Sequence, residues 1–233
     1  HEPVEIEPLI DGSLDGVILT TTELDSRLPA ELTHRGLPFV LLNRETVESG
    51  YDTCVVNNRA GVHKLAELLV GYGHTRIAAI FGPENTSTGL ERRNGFIEAL
   101  TRLGVELPDD RIFSGPFAPN TGFSGLLHVW QAEPTAVFCA NDVIAFGALN
   151  AAASLGVEVP RDVTLVGFDN IPMSGWELFG LTTFGVSIDT LAREAVRLLA
   201  LRMEDPGRPA ERLLLSPEVV LRTSHGSPRS ASI

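Results

Sequence analysis

An α/β fold built on parallel sheets is predicted by three features of this 233-residue chain. Short apolar runs alternate throughout with longer amphipathic stretches, the pattern of strands flanked by helices. Residues of hydrophobic type make up 43% of the chain, enough for one large core or two small ones. Three of the apolar runs end directly in polar residues: LLN at Asn43, FCAND at Asn141 and VGFDN at Asp169. In an open parallel sheet, the ligand crevice lies outside the carboxyl ends of the strands, so polar side chains placed there face a cleft.

The first strand is expected in LDGVILT (14–20), followed by a helix from Thr22 to His34 that Gly36 ends. FVLLN (39–43) and TCVVN (53–57) read as the next two strands. Asn57 is a natural N-cap for NRAGVHKLAELLVGYG, whose apolar positions recur at three and four residues and which stops at Gly71 and Gly73. RIAAIFG (76–82), RIFSG (111–115), AVFCAN (136–141) and VTLVGFD (163–169) follow as strands. The helices GLERRNGFIEALTRLG, NTGFSGLLHVWQ and DVIAFGALNAAASLG lie between them. SIDTLAREAVRLLALRM is the last helix, before a pair of strands around ERLLL and EVVLR. The closing HGSPRSASI, 225–233, reads as a flexible tail. No repeat of solenoid period is present.

Charge and cysteines narrow the class. The formal charge of -12 would repel a phosphate backbone, so these residues are not expected to bind DNA themselves. No run reaches the roughly 20 apolar residues that span a bilayer, and HEPVEIEPLI lacks the basic start and apolar centre of a signal peptide. The chain opens on His1 rather than Met, and its natural start is expected upstream. Cys54 and Cys139 lie far apart in apolar surroundings, without CxxC or His partners at ligand spacing. They read as buried free thiols in a reducing compartment, with no metal role.

Each polar strand end has a plain reading beside the functional one. Asn141 and Asp142 both favour N-caps, yet one helix needs only one cap; Asn141 is the candidate for ligand contact and Asp142 for capping and orientation. Asp169, followed by Asn170, suits a turn, but a carboxylate in a crevice also accepts hydroxyl hydrogen bonds from a polyol. Arg92 and Arg93 stand early in a helix, where cations oppose the dipole. Adjacent helical residues point about 100° apart, so one of them faces the cleft and the other does not; a solvated basic pair is the alternative. Phe117, in the Gly/Pro-rich SGPFAPNTGF, is either a lid over hydrophobic surface or a platform that stacks on a ligand ring.

Catalytic motifs are missing: there is no GxSxG elbow, Walker loop, HExxH or GxGxxG. The histidines fall mainly in helix and turn contexts, and His74 in GYGHTR is placed to bond a helix-terminal carbonyl. Asp109 and Asp110 read as a turn before a strand. No enzyme activity and no cofactor are expected.

The pieces LDGVIL, LPFVLLNR, VVNNRAGVHKLAELLVGYGHTRIAAIFGP, ERRNGFIEALTRLGV, AVFCANDVIAFGALNAAASLGVEVPRDVTLVGFDN, LTTF and LLLSPEVVLRTS run in one order from Leu14 to Ser224. Together they resemble the effector-binding core of the LacI/GalR bacterial transcription regulators. The GHTRIAAIFG, CANDVIAFGAL and VTLVGFDN blocks are the most diagnostic. The closing VVLRTS favours the regulators over the periplasmic sugar-binding receptors of ABC transporters, which are the alternative reading. The resemblance implies a periplasmic-binding-protein-like fold of two doubly wound parallel-sheet subdomains: residues 1–57 with 185–207, and 58–184 with 208–224. It implies an effector, a mono- or disaccharide, bound between them by Asn43, Thr88, Arg92, Phe117, Asn141 and Asp169. It further implies a cytoplasmic homodimer without membrane contact, meeting operator DNA only through an N-terminal helix-turn-helix outside this sequence.

Two departures bear on the effector. Asn43 stands where many members have Asp, and Val186-Ser187 replaces the usual Gln-Pro, so effector identity does not carry over. The resemblance also implies that the first strand unit of the N-subdomain lies, in whole or in part, before this sequence. With a 2-1-3 strand order, its loss would leave LDGVIL and FVLLN about two strand spacings, roughly 9 to 10 Å, apart and unable to pair. On that reading the chain folds only in its C-subdomain unless upstream residues complete it.

Overall fold

The computed structural model describes residues 14–229. They divide into two compact units. One takes the chain up to Val56, with Asn85–Thr88 and Ile188–Leu215; the other takes Asn57–Glu84, Gly89–Ser187 and the chain from Ser216.

In the first unit, β1 (Val17–Leu19), β2 (Phe39–Leu42), β3 (Thr53–Val56) and β9 (Arg212–Leu215) form a parallel sheet in the order β1-β2-β3-β9. Alternate residues serve opposite faces, as the pleat requires. Leu19, Phe39 and Leu41 pack on Leu32 of helix α1 (Leu28–His34). Val40 and Cys54 pack instead on Ala195 and Leu198 of the late helix Ile188–Glu204. Burial pushes the Cys54 thiol up to about 11, so it stays a thiol.

The second unit has a six-stranded sheet ordered β10-β8-β7-β6-β4-β5. Its strands are β4 (Ile77–Phe81), β5 (Ile112–Ser114), β6 (Ala136–Cys139), β7 (Thr164–Phe168), β8 (Thr182–Gly185) and β10 (Glu218–Val220). All pairs are parallel except β10 with β8. Its helices are α2 (Asn58–Gly71), α3 (Ser87–Arg102), α4 (Pro119–Val129) and α5 (Asp142–Leu155). The helix Ile188–Glu204 of the first unit is α6. Helices α4 and α5 meet backbone to backbone: a Cβ on Gly122 would lie 1.8 Å from the Ile144 carbonyl oxygen, and one on Gly147 would lie 1.8 Å from that of Pro119. Asn57 caps α2 by accepting the Ala60 N–H (3.0 Å), as its sequence position predicts.

Several expectations are corrected. β1 and β2 hydrogen-bond directly, with Val17 opposite Phe39, so the predicted gap between them does not exist. Strands neighbouring in sequence pair here, rather than leaving a slot for a third. The helix expected from Thr22 begins only at Leu28. Pro29 has no N–H to give and is tolerated only in a first turn, and Ser26 Oγ accepts the Leu28 N–H. The late strands part, β9 joining β3 and β10 joining β8, so that 208–215 group with the first unit and 57 with 185–187 with the second. The start of the expected tail is fastened: Gly226 donates to Thr164 Oγ1 (3.0 Å), and its carbonyl bonds His74 Nε2 (2.8 Å). His74 thus serves this carbonyl and Thr135 Oγ1 rather than a helix end. Residues 1–13 of the expected N-subdomain and 230–233 of the tail lie outside the described residues.

Candidate functional site

The strand β4 has β5 on one side and β6 on the other, while the chain after β6 continues outward through β7 and β8. That reversal is the topological switch point of a doubly wound sheet, where the carboxyl ends of the strands open a crevice. Gly82, Asn141 and Asp169 follow β4, β6 and β7 at that end.

Arg92, in the second turn of α3, is 1% exposed and fully engaged. Its Nε donates to Asn58 Oδ1 (2.8 Å), Nη1 to the Ala140 carbonyl (2.8 Å) and Nη2 to Asp169 Oδ1 (2.6 Å). The guanidinium also lies 4.1 Å from the Phe168 ring centroid. Arg93 points elsewhere, to Glu84 and Ser114, so the two arginines diverge as helical geometry requires. Arg92 therefore acts as the rigid anchor of the site, with each of its three guanidinium nitrogens donating to a protein acceptor.

Asp169 presents the opposite case. Its side chain is 29% exposed; one oxygen meets Arg92, and the second accepts nothing from the described residues. Its backbone has φ 108 and that of Asn170 has φ 53, conformations that L-residues rarely adopt and that concentrate at functional sites.

Asn141 takes the capping role expected of its neighbour. Its Oδ1 accepts the Ile144 N–H (2.9 Å) and caps α5, while its Nδ2 donates to none of the described residues. Asp142 is not the cap, contrary to expectation. Its carboxylate turns into the sheet and accepts from Ile171 N (2.9 Å), Ser174 Oγ (2.7 Å) and Thr183 Oγ1 (2.5 Å). Burial pushes its pKa up to about 6, and the nearby Asp169 charge adds to that rise.

Phe117 lies against the end of β4, where a Cβ on Gly82 would come within 2.3 Å of its ring. Only a glycine lets the aromatic settle there. Thr88 is buried in the first turn of α3, one turn before Arg92 and on the same helix face. It groups with the first unit, as does Asn43. Asn43 ends β2 in left-handed backbone (φ 59), and its buried Oδ1 meets no donor among the described residues.

The structure thus brings Arg92, Phe117, Asn141 and Asp169 to one end of the second sheet. Sequence reasoning missed Asn58, which holds Arg92 and donates to Glu91 Oε2 (2.9 Å). The Asn57-Asn58 doublet after a strand was the available signal, since one cap uses one Asn. Arg222 was also missed; it bonds Asn170 Oδ1 (2.9 Å) and the Leu181 carbonyl (2.6 Å).

Residues 66–225 match the family described as periplasmic binding protein-like domain. The chain is 31% identical over 215 residues to the HTH-type transcriptional repressor PurR of Salmonella paratyphi B, covering 91% of this chain and 63% of that protein. The Salmonella heidelberg repressor gives the same figures, so the chain spans less than two thirds of the length of these relatives. Among solved structures, a transcriptional regulator CelR–cellobiose complex superposes with a TM-score of 0.86 at 29% identity, covering 93% of this chain and 68% of that one. A regulatory protein of the LacI family from Chloroflexus aggregans superposes with a TM-score of 0.85 at 27% identity, covering 95% and 82%.

Proposed function

The chain belongs to the periplasmic binding protein-like domain family, as the effector-binding core of a LacI/GalR-type regulator, and we propose that it senses a mono- or disaccharide through Asp169, Asn141, Arg92 and Phe117. The observation that carries this reading is the Asp169 carboxylate, held at the sheet's carboxyl end with one oxygen on Arg92 and the other open. That oxygen accepts sugar hydroxyls, the Asn141 amide nitrogen donates to them, and the Phe117 ring stacks on the apolar face of a pyranose. The regulator relatives favour this over a transport receptor.

Sensing requires differential affinity. The sugar binds one arrangement of the regulator better than another, and a coupling of about 1 to 3 kcal/mol changes operator affinity by about 5- to 150-fold. With a formal charge of -12 these residues repel DNA, so operator contact is assigned to a helix-turn-helix module outside them, in a cytoplasmic regulator. A two-fold operator calls for a dimer. Trp176 (55% exposed), stacked on Phe179, and Leu178 (83% exposed) form, with the neighbouring Phe146, the apolar face suited to a second copy.

The test is a melting screen with a panel of sugars and nucleosides, cellobiose and ribose among them, followed by calorimetry. A ligand at about a hundred times its Kd should stabilise the protein by about 2.7 kcal/mol. Asp169→Ala should abolish that shift; a variant that keeps full affinity would remove the site assignment. For the dimer, Leu178→Asp should sediment as a monomer at concentrations where the parent does not.

A further inference from the structure

The turn after β7 holds two consecutive non-glycine residues, Asp169 and Asn170, in left-handed backbone. Such a conformation persists only where the surroundings over-determine it. Three ties do so here. The Asp169 N–H donates to the Phe184 carbonyl on β8 (2.7 Å). Asp142, at the start of α5, grips the far side of the turn through Ile171 N–H and Ser174 Oγ, and anchors the same carboxylate to Thr183 Oγ1 on β8. Arg222, just after β10, reaches the Asn170 side chain with Nη2 and the Leu181 carbonyl with Nη1, while its own N–H donates to Thr182 Oγ1 (2.8 Å). Space for the Asp142 carboxylate exists because residue 167 is glycine: a Cβ there would lie 2.3 Å from Asp142 Oδ1.

We propose that Asp142 and Arg222 are positioning residues for effector binding: they hold the Asp169–Asn170 turn so that the second Asp169 oxygen is presented to the ligand, and neither touches the ligand itself. This rests on the reading of Asp169 as the sugar acceptor. The clamp is pH-dependent at one of its two ends. All three donors to Asp142 are uncharged, and the ionisable groups that face it are Asp169 on the turn and Cys139 on β6. Protonation of Asp142 below about pH 6 removes the charge that strengthens its three hydrogen bonds. The turn loosens, and effector affinity falls on acidification through this window.

The experiment uses the whole chain. Calorimetry with the panel sugar giving the largest melting shift, starting with cellobiose and ribose, is run from pH 7 to pH 5 on the parent, Asp142→Asn and Arg222→Met. Amide exchange of Ile171 is followed without sugar. Each substitution should weaken binding about tenfold at pH 7, and the fall in affinity toward pH 5 should flatten in Asp142→Asn but persist in Arg222→Met. Ile171 should exchange faster in Asp142→Asn and, in the parent, faster at pH 5 than the intrinsic rate predicts. If Asp142→Asn does not fold, the double variant Ser174→Ala/Thr183→Val removes two donors while keeping the charge, and should weaken binding similarly. Sugar binding that is undiminished in these variants overturns the positioning role and leaves the sensing reading intact. If no sugar binds, the sensing reading falls first, and unchanged Ile171 exchange in Asp142→Asn then overturns the clamp as well.

Discussion

The Asn141 carboxamide is used at one end only: its oxygen closes the first turn of α5, and its nitrogen donates to none of the described residues. Arg92 shows the opposite economy, with every guanidinium nitrogen committed to protein. Replacing Arg92 by Ala leaves the Asn58 and Asp169 acceptors without their donor, and should cost about 3 to 5 kcal/mol in urea unfolding. Lys, a point charge without the planar fork, should recover only part of that loss. Of the site, Phe117, Asn141 and Asp169 were legible because each sits at or just beyond a recognisable strand end, and Arg92 because a cation early in a helix opposes its dipole. Asn58, Ser174, Thr183 and Arg222 were not. Each lies in a stretch whose local pattern is complete without it, and only the packing of distant strands gives its side chain a task.

Among elements, the α4–α5 contact and the Asp52 cluster are the most exposed to single changes. Gly122→Ala pushes a methyl against the Ile144 carbonyl, backbone that cannot rotate away, and should destabilise by about 3 kcal/mol, the upper end for overpacking. Asp52, before β3, has a fully buried carboxylate that accepts from Arg202 Nε (2.8 Å), Arg208 Nη1 (3.4 Å) and the Glu211 N–H (2.8 Å). It ties the end of α6 and the start of β9 to the sheet. Asp52→Ala should cost about 3 kcal/mol and should speed amide exchange in Thr53–Val56 and Arg212–Leu215 while leaving β4 and β6 protected. The late start of α1 belongs to this scale too: apolar spacing from Thr22 suggested a helix, and Pro29 decided where it begins.

At the scale of the whole molecule, two buried groups pull stability in opposite directions on acidification. The folded pKa of Asp142, about 6, lies above its unfolded value of 3.8. Its contribution is fully present below pH 3.8 and lost as pH rises through about 6, a swing of about 3 kcal/mol. Burial lowers the pKa of His74, against the opposing bond from Gly226. Its contribution is present above the ordinary histidine value and lost as pH falls through the folded one. In urea titrations at pH 7, 5.5 and 4, the stability of Asp142→Asn relative to the parent should fall by about 2 kcal/mol from the first pH to the last. His74→Gln should instead gain on the parent below pH 6.5.

The order of strands and helices, the cap at Asn57, the two buried thiols and the polar strand ends were all decided by the sequence locally. Periodicity, cap chemistry and hydrophobic runs act over a few residues and can be read there. Which strand lies beside which was decided only by the tertiary structure. β1 pairs with β2 where a gap was expected, and β9 and β10, three residues apart in the chain, join different sheets. Strand pairing depends on which apolar faces are left to cover once the helices have packed, and no window of sequence contains that information. The turn at Asp169 shows the same division. Its residues stand in the VGFDN motif, but its left-handed backbone is held by the Phe184 carbonyl, Asp142 and Arg222, all from distant parts of the chain.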